Sequence, residues 1–129
     1  MSLKNSLAAA VSALSMIAAP MIAAPANAQS SPDGERLYQQ RCGSCHSIEP
    51  GQNRLGPHLA GIVGRTAGAV EGARYSQDMQ KSGIVWDDKT LDTYLDNPRA
   101  VVPRTTMTVA LRDSAQRSAI IDYLRTLSP

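Results

Sequence analysis

Cys42-Gly43-Ser44-Cys45-His46 is the stretch that decides how this chain folds. Two thiols separated by two residues and followed at once by an imidazole form the attachment signal of a c-type haem. The sulfurs of Cys42 and Cys45 suit thioether bonds to the two haem vinyl groups. The short spacing then sets His46 under the ring, where a neutral imidazole nitrogen binds iron. Two other readings stay open on these residues alone. A thioredoxin-type dithiol wants a βαβ pattern, and the β-branched runs of a parallel sheet are missing. A zinc site would have Cys42, Cys45 and His58, with His46 or a carboxylate as fourth ligand.

Outward toward the start, residues 1–28 read as a cleavable export signal. Lys4 leads, an apolar stretch runs from Leu7 to about Ala24, and Ala26-Asn27-Ala28 is a small-residue cleavage site. The alternative is a retained membrane anchor, but Ser12, Ser15 and Pro20 interrupt a stretch rich in alanine, a poor span. The expected mature domain is 29–129, in the bacterial periplasm, with its thiols outside the reducing cytosol. It has no Phe and one Trp, so its own apolar surface makes a marginal core, and a large flat cofactor held only by the folded state adds directly to its stability. Without Lys4, the 13 Lys+Arg become 12 against 11 Asp+Glu, a near-neutral balance that excludes nucleic acid as the natural partner.

Outward toward the end, helices alternate with long loops. Ser31-Pro32 opens a first helix that runs through Leu37, Tyr38 and Arg41 into the cysteines. From Ser47 to Arg74, Gly56-Pro57 and the glycines at 61, 64, 68 and 72 mark loop. Ser76 caps a short helix through Met79 that stops at Ser82-Gly83. Asp87 or Asp88 caps another, with Leu91, Tyr94 and Leu95 on its apolar face, ended by Pro98. The last helix opens at Asp113, with Gln116 placed for a capping box. Its Ile120, Tyr123, Leu124 and Leu127 read as ordinary core.

A second iron ligand must come from Met79, Met107 or His58. Met107 lies in Val101-Val102-Pro103-Arg104-Thr105-Thr106-Met107, an irregular segment between helices that is able to bring a thioether across the ring. Met79 sits within a helix, where Met more often fills gaps in a core. His58 follows the proximal histidine too closely to reach the other face. With His46 and Met107 both on the iron, substrates are kept away and the metal is left to change oxidation state.

The chain resembles the class I cytochromes c, in particular the bacterial cytochrome c2 and c550 group similar to mitochondrial cytochrome c. The matching residues are Gly34, Tyr38 and the Cys42–His46 motif, then Gly56-Pro57-x-Leu59-x-Gly61-Ile62-Val63-Gly64-Arg65, Tyr75-Ser76 and Gly83-Ile84-Val85-Trp86. They continue with Leu91-x-x-Tyr94-Leu95-x-Asn97-Pro98, Pro103-x-Thr105-x-Met107 and Ile121-x-Tyr123-Leu124. The resemblance implies an all-α single domain of four to five helices around one covalent haem c, the first and last crossing through Gly34, Tyr38, Ile120 and Tyr123. It implies that the Pro57 carbonyl accepts from the non-ligating nitrogen of His46. Tyr75 and Trp86 would hydrogen-bond a haem propionate, with Arg65 offsetting its charge, and Tyr94 and Thr105 would support the Met107 side. Relatives often have Phe at the place of Tyr38, an aromatic at that of Val109, Gly at that of Arg104 and Asn at that of Met79. They also dock through lysines, whereas Lys81 and Lys89 are the only ones after Lys4, which leaves that work to arginines such as Arg54, Arg99 and Arg104.

The expected function is a soluble monomeric one-electron carrier and not an enzyme. It would accept electrons from a cytochrome bc1-type complex or a dehydrogenase and donate to a terminal oxidase or reaction centre through transient contacts. Two alternatives stand beside it: a dedicated electron-acceptor subunit of one periplasmic dehydrogenase, and a haem peroxidase or gas sensor, which needs an open sixth position.

Overall fold

The computed structural model describes residues 32–127. The export signal expected over residues 1–28 and the domain start at Gln29 lie outside the described residues. Five helices follow one another: α1 (Pro32–Arg41), α2 (Gln77–Gln80), α3 (Asp88–Asp96), α4 (Pro98–Val101) and α5 (Ser114–Thr126). The only β pairing among the described residues is an isolated bridge between Thr66 and Val85. The chain is all-α, as expected.

Local sequence explains most of the boundaries. α1 carries Asp33 and Glu35 in its first turn and Arg41 in its last, charges that complement the helix dipole. The Ser76 hydroxyl accepts from the Met79 amide and starts α2. Asp87, not Asp88, caps α3, and with Thr90 it closes a reciprocal capping box. Asp113 accepts from the amides of Ala115 and Gln116 at the head of α5, without a return contact from the Gln116 side chain among the described residues. Pro98 does more than end α3. Its fixed φ also suits the first turn of α4, a single turn that extends the helical region through Val101, where the sequence alone reads as loop.

α1 and α5 cross with their backbones nearly touching. A Cβ on Gly34 would lie 2.3 Å from the Ala119 carbonyl oxygen and 2.9 Å from the Tyr123 Cβ, so only glycine permits the crossing. Tyr38 and Tyr123 pack beside it with ring centroids 5.6 Å apart, and Tyr38 and Ile120 are fully buried. The start of α5 is tied by Arg117, a buried guanidinium that sequence reading did not single out. It donates to Asp92 (2.6 Å) and Asp96 (3.2 Å) of α3 and to the carbonyls of Leu111 (2.8 Å) and Arg112 (3.1 Å). α5 thereby fixes α1 on one side and α3 with the returning chain on the other. The buried residues form one cluster, which surrounds a hollow.

Candidate haem site

That hollow is a cavity of about 430 Å³. Cys42, Cys45, His46, Pro57, Arg65, Tyr75, Trp86, Tyr94, Thr105 and Met107 all line it, so the fold brings together every site residue expected from sequence.

The cysteine side is an extension of α1. The amides of Cys42 and Gly43 both donate to the Tyr38 carbonyl, and those of Cys45 and His46 to the Cys42 carbonyl, so a helical turn continues past Arg41 and carries both sulfurs and the imidazole to the cavity. Both thiols are free, Cys42 buried and Cys45 half-buried. Burial, and then the neighbouring Cys45, pushes the Cys42 thiol up to about 11. A disulfide oxidoreductase needs the opposite, a thiol lowered toward neutrality, so the dithiol reading loses its support. The zinc reading fails as well. Among the described residues no group of three or more His, Cys, Asp or Glu is placed to hold a metal ion, and His58 does not line the cavity.

His46 is held from three directions. Its Nδ1 lies 2.7 Å from the Pro57 carbonyl oxygen, an acceptor only, so Nδ1 carries the proton and Nε2 keeps its lone pair. Burial lowers the imidazole's affinity for a second proton, partly offset by that same hydrogen bond. Gly56 lies against the ring, where a Cβ would stand 2.4 Å from Cε1. The Tyr38 hydroxyl donates to the His46 carbonyl at 2.8 Å, which gives a reason for Tyr where relatives often have Phe. A neutral, oriented imidazole beside two thiols on an apolar hollow is a donor set that fits haem c.

Elsewhere in the lining the Tyr94 hydroxyl and Thr105 Oγ1 lie 2.6 Å apart, and the Met107 amide donates to that Oγ1 at 3.3 Å. Met107 is half-buried against the core. Met79 is buried in the core, as expected, yet it also lines the cavity. The same holds for Ile120 and Leu124, which sequence alone reads as ordinary packing. Their i, i+4 spacing shows which face of α5 is apolar but not that part of this face borders a hollow.

Arg65 donates to the carbonyls of His58 (2.8 Å) and Ala60, which anchors a half-buried cation in the cavity wall. Burial lowers its proton affinity, with Tyr75 acting the other way. The Tyr75 hydroxyl accepts from the Val70 amide at 3.3 Å, and Trp86 packs on Tyr94 with centroids 5.0 Å apart. Two of the arginines named from sequence are engaged elsewhere: Arg104 pairs with Asp78, and Arg54 donates to the Gly43 carbonyl. The exposed arginines that line the cavity are Arg41 and Arg74, each next in sequence to a cavity residue. Leu55 and Val109 stand with them, 79% and 41% exposed, an apolar rim in keeping with the missing aromatic at 109.

Known proteins share this sequence at length. The sequence profile described as Cytochrome c matches residues 31–128. Cytochrome c2 iso-2 of Magnetospirillum molischianum is 45% identical over 87 residues, 67% of this chain and 90% of that protein. Cytochrome c of Euglena viridis is 42% identical over 95 residues, 73% of this chain and 93% of that one. Cytochrome c2 of Blastochloris viridis is 40% identical over 104 residues, 79% and 81% of the two chains. The chain belongs to the cytochrome c family as a class I c-type cytochrome, an electron carrier with one covalently attached haem c and not an enzyme.

Proposed function

We propose that this protein is a periplasmic shuttle whose haem iron is held by His46 and Met107. The observation that carries the reading is the single cavity with an oriented neutral imidazole in one wall and a thioether in another. Cys42 and Cys45 hold the cofactor through thioethers, so it stays in place through repeated encounters. Bound there, haem supplies a one-electron couple at iron. Pro57 and Gly56 keep the imidazole at one angle, Tyr94 and Thr105 keep the Met107 segment against the cavity, and the apolar walls exclude water. His46 and Met107 would both hold the iron, so the ligand set would not need to change when the electron arrives or leaves. Arg65 would balance a propionate charge, and Tyr75 and Trp86 would offer it an O–H and an N–H donor.

The donor is a cytochrome bc1-type complex or a dehydrogenase, and the acceptor a terminal oxidase or a reaction centre. Encounters occur at the rim formed by Leu55, Val109, Arg41 and Arg74, where a small apolar patch with flanking charge favours brief, salt-sensitive docking. Export through residues 1–28 places the carrier in the periplasm. Among the described residues no helix is long and apolar enough to cross a membrane.

The test is carbon monoxide binding to the reduced holoprotein, wild type against Met107→Ala. Wild type shows the sulfur-to-iron absorption band when oxidised and excludes carbon monoxide when reduced, and the variant loses the band and binds the gas. Ready binding by wild type would overturn the assignment of Met107 and favour a gas-binding or peroxidase role.

A further inference from the structure

The loop that carries Met107 has few fastenings of its own. Among the described residues, no backbone-to-backbone hydrogen bond involves residues 106–110; the flanking ones are Thr105 to Val102 and Leu111 to Leu95. Inside, the loop is held through Thr105 Oγ1. Outside, it is held by Arg104, which makes a two-pronged contact with Asp78 of α2: Nε to Oδ2 at 3.0 Å and Nη2 to Oδ1 at 2.7 Å. This pair spans the 26 residues between two separate pieces of cavity wall. Asp78 precedes Met79, and Arg104 precedes Thr105, and both followers line the cavity.

We propose that the Asp78–Arg104 pair is a latch that closes the Met107 loop onto α2 and sets how readily Met107 yields its place to a competing ligand. The inference rests on Met107 being the axial ligand. A fork-to-fork guanidinium–carboxylate contact fixes direction as well as distance, so it resists the outward swing that ligand exchange needs. Its carboxylate is only 23% exposed, although the guanidinium is 77% exposed, so the latch is a modest and salt-sensitive one. Arg104 also holds the Asp78 carboxyl below its ordinary range, which keeps the latch charged through neutral pH, and nearby Lys81 adds to that effect. Asp78 and Arg104 are positioning residues, since neither touches iron.

The experiment is imidazole titration of the oxidised holoprotein at low and high salt, for wild type, D78N, R104Q and D78N/R104Q. At low salt the three variants bind imidazole about three- to fivefold more tightly than wild type, all by the same factor because either change opens the latch. High salt brings wild type toward the variants and leaves the variants where they are. Amide hydrogen exchange over residues 104–110 quickens in the variants, while exchange in α1 does not. Equal imidazole affinity in all four proteins, or single effects that add in the double variant, would overturn the latch. A wild type without the sulfur-to-iron band, with the affinity of Met107→Ala, would instead remove the ligand assignment beneath it.

Discussion

From Tyr38 to Leu59 one main-chain hydrogen bond follows another: Cys42 and Gly43 to Tyr38, Cys45 and His46 to Cys42, Gly56 to Cys45, Leu59 to Ser47. From Val102 to Leu111 the backbone makes three, Val102 to Pro98, Thr105 to Val102 and Leu111 to Leu95, and side chains do the rest: Thr105 with Tyr94 inside, Arg104 with Asp78 outside, Arg117 on the Leu111 and Arg112 carbonyls. The two walls of one cavity are built differently. A wall held by its own backbone keeps the histidine fixed, because no single side-chain loss frees it. A wall held by side chains keeps the methionine in place only as long as each partner stays, and each partner sits on another element. Under the proposed ligation, the difference separates a permanent ligand from one that is kept by the fold.

The strongest way to break this contrast is to leave the haem out. An empty hollow of about 430 Å³ forfeits up to about 10 kcal/mol at the usual cost per unit of cavity volume, as much as the whole stability of a small domain. A chain with C42A/C45A, produced without haem, is expected to lose most of its helical circular dichroism and its cooperative thermal transition. Retention of both would mean that the two walls support themselves and that their bonding does not depend on the cofactor.

Single substitutions sharpen the comparison at a smaller scale. Gly56→Ala drives a Cβ into a ring that Pro57 already holds through Nδ1, so strain of about 2–3 kcal/mol is expected, with the histidine wall unable to give. Thr105→Val removes the partner of a buried tyrosine hydroxyl and of the Met107 amide, at about 1–2 kcal/mol. In urea denaturation of the holoproteins Gly56→Ala is the less stable. In carbon monoxide binding the order reverses, with Thr105→Val the more accessible. The same order in both measurements would show that the walls are not mechanically distinct.

How legible these walls were follows from how far apart their partners lie. The cofactor was readable because its chemistry is local: two thiols and an imidazole within Cys42–His46 leave little room for another meaning. Helix starts at Ser76, Asp87 and Asp113 were readable for the same reason, since a cap acts over three residues. The assignment of Met107 as second ligand, with Tyr94 and Thr105 in support, comes from order along the chain and from resemblance. Arg117, the Asp78–Arg104 pair and the Tyr38 hydroxyl were not readable. Their partners are five to 26 residues away, most of them on other elements, and a single arginine, aspartate or tyrosine has no periodicity to betray its contact. The single turn α4 escaped because a proline ends one helix and begins another with the same fixed φ.

The smallest expected effect tests a side-chain fastening on the histidine wall, the Tyr38 hydroxyl on the His46 carbonyl. Burial, and after it the Cys42 thiol, pushes the Tyr38 phenol up to about 12, against an ordinary value of 10.0. Once Cys42 is a thioether its share disappears, and burial remains the chief cause, with Arg54 lowering the value and Tyr123 raising it. The phenol's folded value is raised, so its contribution is fully present below pH 10 and is lost as pH climbs through the raised folded value. Tyr38→Phe gives up the hydrogen bond, about 1 kcal/mol at neutral pH, and has no phenol to ionise there. Tyr75, Tyr94 and Tyr123, also raised by burial, still titrate in both proteins, so the variant flattens the alkaline fall in stability without abolishing it. Urea midpoints of the two holoproteins should therefore differ in favour of wild type at pH 8, converge, and cross near about pH 11. Parallel curves through that range would mean that the hydroxyl reaches water when it ionises, and that even this fastening is dispensable to a wall its backbone already holds.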